Sequence, residues 1–274
     1  MEMNLEIIRS TVGDNYFFLI ADDRGKATLI DPVDGALAVE RVRQAGLELV
    51  SIINTHFHPD HVAGNPEVLQ AFPEAVVIAG AVDSDAIEAQ FSDGRGVDQR
   101  VVGGDSIEVG SISFDVLETP GHTPGHISVR WGKHLFSGDT IFVGGAGNCR
   151  YGGDPKALFE TFRDVLHNLP GETIFYPGHD YSVRNAEFLL SIEPEHKETQ
   201  AVLEEAKAAL QEGRLMTTTL GREKLYNGFM RFGDSSVSEA LQSGYRELLE
   251  QARSVSESEE EAVFRSLRSL RNEW

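Results

Sequence analysis

Apolar and polar positions alternate in short runs along the first two thirds of the chain and recur at helical spacing along the last third. Runs at 5–8, 16–20 and 27–30 predict the three strands of a meander, with Asp14, Asn15 and the segment 22–25 supplying turn chemistry between them. Asp31-Pro32 closes the third strand, and Asp34 caps a helix over 36–44. Gly46 then leads into the apolar, β-branched strand 49–54. Asn65 reads as the cap of a helix over 66–72, followed by a strand at 75–79, a helix at 81–91 and a loop at 92–96. Residues 107–117 form a hairpin turning at Gly110-Ser111, with further strands at 127–131, 133–137 and 173–176. Asp154-Pro155 opens a helix whose apolar stripe is Leu158, Phe159, Phe162, Val165, Leu166 and Leu169. Beyond 181 strand signals stop, and helices are expected over 181–192, 195–211, 237–252 and 257–270. Two rounds of strands then helix predict an α/β fold, an αββα sandwich over residues 1–180, with a helical appendage over 181–274.

The strand at 49–54 runs into Thr55-His56-Phe57-His58-Pro59-Asp60-His61. If the chain stays extended through His58, His56 and His58 share a face while Phe57 points into the opposite layer. Pro59 disfavours helix at His58 and turns the chain, so Asp60 and His61 offer an oxygen and a nitrogen nearby. Imidazole with carboxylate suits zinc, iron or manganese. Three more strand ends carry the same chemistry. The strand ending at 117 leads to Thr119-Pro120-Gly121-His122 and then Thr123-Pro124-Gly125-His126, a tetrapeptide repeated twice. His122 follows a strand and is the favoured ligand, whereas His126 opens the next strand and is read as a packed or supporting imidazole. Asp139 follows Gly138, whose missing side chain permits close backbone approach, and His179 follows Pro177-Gly178. Asp31 could support the site from behind, although a strand-end turn is its favoured role.

This set divides into His56, His58 and His122 for one cation and Asp60, His61 and His179 for a second, with Asp139 bridging them. Two cations about 3.5–4 Å apart lower the pKa of a shared water from about 15.7 toward neutrality. The target would be an electrophilic carbonyl, with Asp60 orienting the water or receiving a proton. Zinc is the first expectation, with iron or manganese as alternatives.

Composition narrows the partners. Of 274 residues, 44 are acidic and 24 basic, and the formal charge of −20 repels phosphate backbones, so nucleic acid is not expected. No apolar run of membrane-spanning length occurs, and the N-terminus lacks a basic flank followed by an apolar core. A cytoplasmic enzyme with a small-molecule substrate and no membrane partner is the expectation. The single cysteine, Cys149, rules out an internal disulfide or a multi-cysteine zinc site, and is read as a small, inert loop residue.

The histidine run 55–61, with His122, Asp139 and His179 following in order, resembles the signature of the metallo-β-lactamase superfamily. Within it, the segments 119–123, 138–140 and 178–181 look like the glyoxalase II (hydroxyacylglutathione hydrolase) family, and the resemblance extends to residues 223–231 near the C-terminus. The resemblance implies a binuclear thioesterase acting on a substrate such as S-lactoylglutathione. By carry-over it implies that Tyr181 and Arg231 contact the thiol portion, with Arg150 and Tyr151 serving at altered spacing in the loop after Asp139. Departures include Gly228 where proline is common, and Phe232-Gly233-Asp234 after Arg231 where a further base is usual. A mononuclear iron persulfide dioxygenase using His56, His122 and Asp139 is the alternative on the same scaffold.

Overall fold

The computed structural model describes residues 4–91 and 94–274. Residues 1–3, and positions 92 and 93 of the expected loop, lie outside that description. The chain forms two six-stranded sheets stacked face to face. The first runs in sequence order: β1 (Asn4–Arg9), β2 (Tyr16–Ala21), β3 (Lys26–Ile30), β4 (Glu48–Asn54), β5 (Val76–Gly80) and β6 (Gln99–Val101). Its first pairings are antiparallel, and it turns parallel from β3 onward. The parallel connections are filled by α1 (Gly35–Gln44), the short α2 (Pro59–Val62) with α3 (Asn65–Ala71), and α4 (Ser84–Glu88).

The second sheet contains β7 (Ser106–Val109), β8 (Ile112–Glu118), β9 (Ile127–Trp131) and β10 (His134–Gly138) as an antiparallel meander. A small hairpin of β11 (Ile141–Phe142) and β12 (Gly145–Ala146) and the helix α5 (Pro155–Glu160) precede β13 (Ile174–Pro177), which joins β10 in parallel. The helices α6 (Ser182–Ile192) and α7 (Lys197–Gln211) follow, then β14 (Thr218–Thr219) on the outer side of β13. The chain ends with α8 (Leu220–Tyr226), α9 (Ser235–Gly244), α10 (Arg246–Arg253) and α11 (Glu259–Glu273).

Strand alternation sorts side chains into three buried layers. On β2, Phe18 and Ile20 face the space between the sheets, where they meet Phe114, Val116 and Phe136. Phe17 and Leu19 face outward, onto Ala38 and Val42 of α1 and Val68 of α3. On the second sheet Leu135 and Phe175 point outward into a third cluster built with Phe159, Phe162, Phe188, Phe229 and Phe264. Phe264 of α11 meets the rings of Phe159, Phe162 and Phe229 at 5.2–5.7 Å, so its loss would cost about 3–5 kcal/mol. Residues on both sides of position 181 therefore share one apolar core.

Several predicted elements differ in detail. Asn65 does not cap α3; Gly64 does, and the Asn65 amide instead donates to Asn54 Oδ1 at 2.7 Å, bracing the end of β4. The helix expected over 237–252 breaks at Tyr245 (φ −140°), just after Gly244, whose backbone gains least from staying helical. The helix expected over 81–91 is confined to α4, and the stripe after Asp154 leaves α-geometry at Thr161, whose hydroxyl donates to Pro120 O at 2.7 Å.

Candidate metal centre and adjoining cavity

β4, β8, β10 and β13 each end at the same rim of the sandwich, and all seven predicted ligands meet there. His56 Nε2 lies 3.1 Å from His58 Nδ1, which lies 2.9 Å from His122 Nε2. Asp139 Oδ1 is 3.4 Å from His61 Nε2, while its Oδ2 is 3.5 Å from His122 Nε2 and 3.6 Å from His179 Nε2. Asp60 Oδ2 is 3.3 Å from His179 Nε2 and 4.0 Å from His61 Nε2. Asp139 thus stands between a trio of imidazoles and an Asp-His-His trio, each trio presenting donor atoms within 4.8 Å of one another.

The far side of every imidazole has a fixed partner. His58 Nε2 and His122 Nδ1 face the main-chain oxygens of Tyr151 (3.1 Å) and Asn148 (2.7 Å). His61 Nδ1 faces Asp31 Oδ2 at 2.9 Å, His179 Nδ1 faces Asp14 Oδ1 at 3.0 Å, and His56 Nδ1 lies 3.0 Å from Thr55 Oγ1. Carbonyl and carboxylate oxygens only accept, so the outer nitrogens of His58, His61, His122 and His179 carry protons, and the inner nitrogen of each ring presents a lone pair whenever that ring is neutral. Two lone pairs 2.9 Å apart, on His58 and His122, repel unless something electrophilic sits between them. Among the described residues His61 Nε2 and Asp139 Oδ1 are buried without a hydrogen-bond partner, which is rare in a folded interior. The donor set therefore fits divalent cations, and its outer partners are of the kind that orient metal-binding imidazoles.

Charge states follow from this crowding. Burial, reinforced by the surrounding imidazoles, holds His56 well below its ordinary value. Burial also acts to depress His61 and His179, but the neighbouring carboxylates outweigh it: His61 stands well above the usual range and His179 is raised to about 9. Burial alone would raise Asp60 and Asp139, yet the facing imidazoles hold both well below the usual carboxylate range, so both are anionic.

Two further residues support the ligands from behind. Asp31 is the one non-glycine at positive φ (52°) among the described residues; its Oδ1 accepts from Thr55 N at 2.8 Å and its Oδ2 from Thr55 Oγ1 at 2.6 Å as well as from His61. It is a buried brace of the histidine run as well as a turn. His126 accepts from Asp139 N through Nε2 at 3.1 Å, while its Nδ1 lies within 3.0 Å of the Thr119 and Thr140 hydroxyls, so it packs behind Asp139 with both ring nitrogens engaged by the protein. A Cβ on Gly138 would approach Thr55 Oγ1 to 2.5 Å, the close approach that a glycine there allows.

A cavity of about 400 Å³ opens from Asp139, lined by Asp14, Phe142, Asn148, Arg150, Tyr151, Tyr181, Arg184, Arg268, Arg271 and Asn272. Tyr181 stacks on His179 with ring centres 5.1 Å apart, and Tyr151, 69% exposed, stands edge-on to His58 at the mouth. Arg231 lies elsewhere, contrary to expectation: it is buried and pairs with Glu193 at 2.7 Å and Asp234 at 2.9 Å. Its motif position is matched, but its guanidinium is consumed by carboxylates of its own layer. Sequence reasoning missed Asp14, which looked like turn chemistry, and Arg184, Arg268 and Arg271. The spacing of Arg265, Arg268 and Arg271 by three was a visible sign of one basic helix face. Burial pushes the Cys149 thiol up to about 11, consistent with an inert loop residue.

A model of the metallo-beta-lactamase superfamily matches residues 10–179, and one of the hydroxyacylglutathione hydrolase C-terminus matches 180–274. The hydroxyacylglutathione hydrolase of Polaromonas sp. is 38% identical over 273 residues, covering 95% of both chains. The chain belongs to the hydroxyacylglutathione hydrolase family of the metallo-β-lactamase superfamily. The family's member from Nitrosococcus oceani is 36% identical over 265 residues, again across 95% of both chains. ETHE1 from Myxococcus xanthus, a solved structure, superposes with TM-score 0.65 at 27% identity, covering 89% of this chain and 92% of that one. The chain is a metal-dependent hydrolase of this family, the His/Asp groups at the rim described could hold divalent metal ions, and among the described residues no helix is long and apolar enough to cross a membrane.

Proposed function

We propose that the protein hydrolyses a glutathione thioester such as S-lactoylglutathione, releasing a hydroxy acid and the free thiol, in the cytoplasm and with two zinc ions at the rim. The observation that carries the reading is the adjacency of the seven-ligand cluster to a cavity bearing four arginines, in a chain whose net charge is −20. The chemistry supplied by two bound divalent cations is acidification of water and polarisation of a carbonyl oxygen. His56, His58 and His122 would hold one, Asp60, His61 and His179 would hold the other, and the Asp139 carboxylate lies between the two groups.

Asp60, whose side chain is half exposed, is tethered by Asn15 Nδ2 (2.7 Å to its main-chain oxygen, 3.3 Å to Oδ2). Remaining ionised, it orients an attacking water by accepting its O–H. Tyr181, Tyr151 and Arg150 border the thiol portion, together with Arg184, Arg268 and Arg271. Arg268 and Arg271 form no ion pair among the described residues, so a substrate carboxylate is the natural counter-charge for the accessible members of this group. The C-terminal family match and the named relatives favour the hydrolase over the persulfide dioxygenase.

The test is steady-state hydrolysis across glutathione and coenzyme A thioesters, with elemental analysis of the same sample and oxygen uptake on glutathione persulfide. Cleavage of the glutathione thioester with two zinc ions per chain supports the reading. One iron with oxygen uptake and no thioester cleavage overturns it.

A further inference from the structure

Five consecutive residues on the return from Asp139 are held through their peptide groups by side chains from beyond position 181. Asn185 Nδ2 donates to Val143 O at 2.9 Å, and Gly144 N donates to Glu223 Oε2 at 3.0 Å. Asn227 Nδ2 donates to Gly145 O at 3.2 Å, and Arg268 Nη1 donates to Ala146 O at 2.5 Å and Gly147 O at 3.0 Å. The next carbonyl, Asn148 O, is the one that fixes His122 through Nδ1 at 2.7 Å. Between them Gly147 presses on the centre: a Cβ there would fall 2.1 Å from Asp139 O and 3.2 Å from His122 Cβ. The hairpin has its own backbone pairing, with Gly147 N donating to Thr140 O at 3.0 Å, and the side chains from beyond 181 brace it from outside.

Arg268 is the member of this clamp that holds the two residues directly before Asn148. It is 4% exposed, and among the described residues it has no carboxylate partner and its Nε has no hydrogen-bond partner. Its ring neighbour is Phe229, with the guanidinium carbon 5.5 Å from the ring centre, and Nη2 donates to Asn272 Oδ1 at 3.1 Å. A buried cation without a counter-charge is costly to keep. The two carbonyls it grips are its main hydrogen-bonding use.

We infer that Arg268 is a positioning residue for His122: by pinning Ala146 and Gly147 it sets the Asn148 carbonyl, and through it the direction of the His122 lone pair toward the His56/His58/His122 cation. The C-terminal helix thereby completes the metal centre and does more than wall the cavity. The inference rests on the two-cation part of the proposed function.

Full-length R268M, R268K and N272A, the last removing the Nη2 acceptor, are stripped with chelator and titrated with Co(II), following the d–d absorption. H122A marks which step of the titration belongs to the first site. R268M is expected to bind one Co(II) like wild type and the His122 Co(II) about 10–100-fold more weakly. R268K recovers most of that loss, and N272A falls between. Superimposable titrations for wild type and all three variants, even with a raised KM, overturn the inference and leave Arg268 as a substrate contact. Should R268M fail to fold by circular dichroism, R268K and N272A decide on the same criterion. Wild-type protein that takes up no Co(II) removes the two-cation reading itself, an outcome distinct from wild-type uptake with unaffected variants.

Discussion

Asp31 Oδ2 receives the Nδ1 proton of His61 at 2.9 Å while the other oxygen of the same carboxylate holds Thr55 N at 2.8 Å, so one buried side chain fixes both ends of the histidine run. Asp31→Ala should therefore weaken cation binding at His61 by about 10–100-fold, with a matching fall in activity that excess metal partly restores. Metal titration of the stripped variant measures it; affinity equal to wild type would show that the run holds its shape unaided.

Asp139→Ala removes the one carboxylate that faces both imidazole groups. The fold should persist, because His126 accepts from the main-chain nitrogen of residue 139 and not from its carboxylate. Turnover should drop by more than about 100-fold, since cation-centred stabilisation supplies several kcal/mol. Undiminished kcat in a correctly folded sample would argue against the bridge.

Arg231→Met tests a residue that the motif places at the substrate and the structure places in a buried ion cluster. Glu193, 17% exposed at its side chain, would lose its partner, and stability should fall by about 3 kcal/mol while KM stays within twofold. Urea denaturation and steady-state kinetics separate the two; a large rise in KM without destabilisation would return Arg231 to the cavity.

Arg271→Met should do the opposite. Arg271 Nε donates to Asn185 Oδ1 at 2.9 Å, and its guanidinium lines the cavity without a carboxylate partner among the described residues. Loss of one charge-assisted hydrogen bond, about 1.5–3 kcal/mol, should raise KM for a glutathione thioester roughly 10–100-fold. A thioester whose thiol carries no carboxylate should be hardly affected, and equal losses on both would point to a structural role.

Glu223 gives the chain a pH-dependent element. Burial raises its carboxyl to about 7, against the opposing pull of Tyr226, Asn227 and the Gly144 amide. A folded pKa above the ordinary 4.5 means that the stability it contributes is present below that value and is lost as pH climbs through about 7. The slope can reach about 1.4 kcal/mol per pH unit within that window. Since glutamine does not titrate, the stability of Glu223→Gln relative to wild type should improve between pH 5 and pH 8 in urea denaturation of metal-free protein. A pH-independent difference would mean the carboxylate is ionised throughout.

The rim was legible because each ligand sits at the end of a short apolar run, where period-two alternation and the next Pro or Gly fix the direction of only one or two side chains. His126 could be set apart from His122 for the same reason: it opens a strand where His122 follows one. Asp14 was not legible, because its reach to His179 at 3.0 Å depends on a hairpin folding its turn onto the edge formed by β13. Nor were the cavity arginines, because on the last helix an inward guanidinium and a solvated one look alike until that helix is packed. Arg231 shows the converse limit: a motif fixes backbone position, but which charge its side chain meets is decided by neighbours such as Glu193, 38 residues away.

The third apolar layer, in which Leu135 and Phe175 lie against Phe188, Phe229 and Phe264, bears on how such a protein could be re-engineered. Swapping the region after residue 181 for one of different specificity would be a graft onto an open core, not the exchange of a detachable module. A successful chimera would have to reproduce the phenylalanine contacts and the grip on residues 143–147 together. Directed changes of selectivity are better confined to Arg150, Arg184 and Tyr151, whose side chains are reached from solvent.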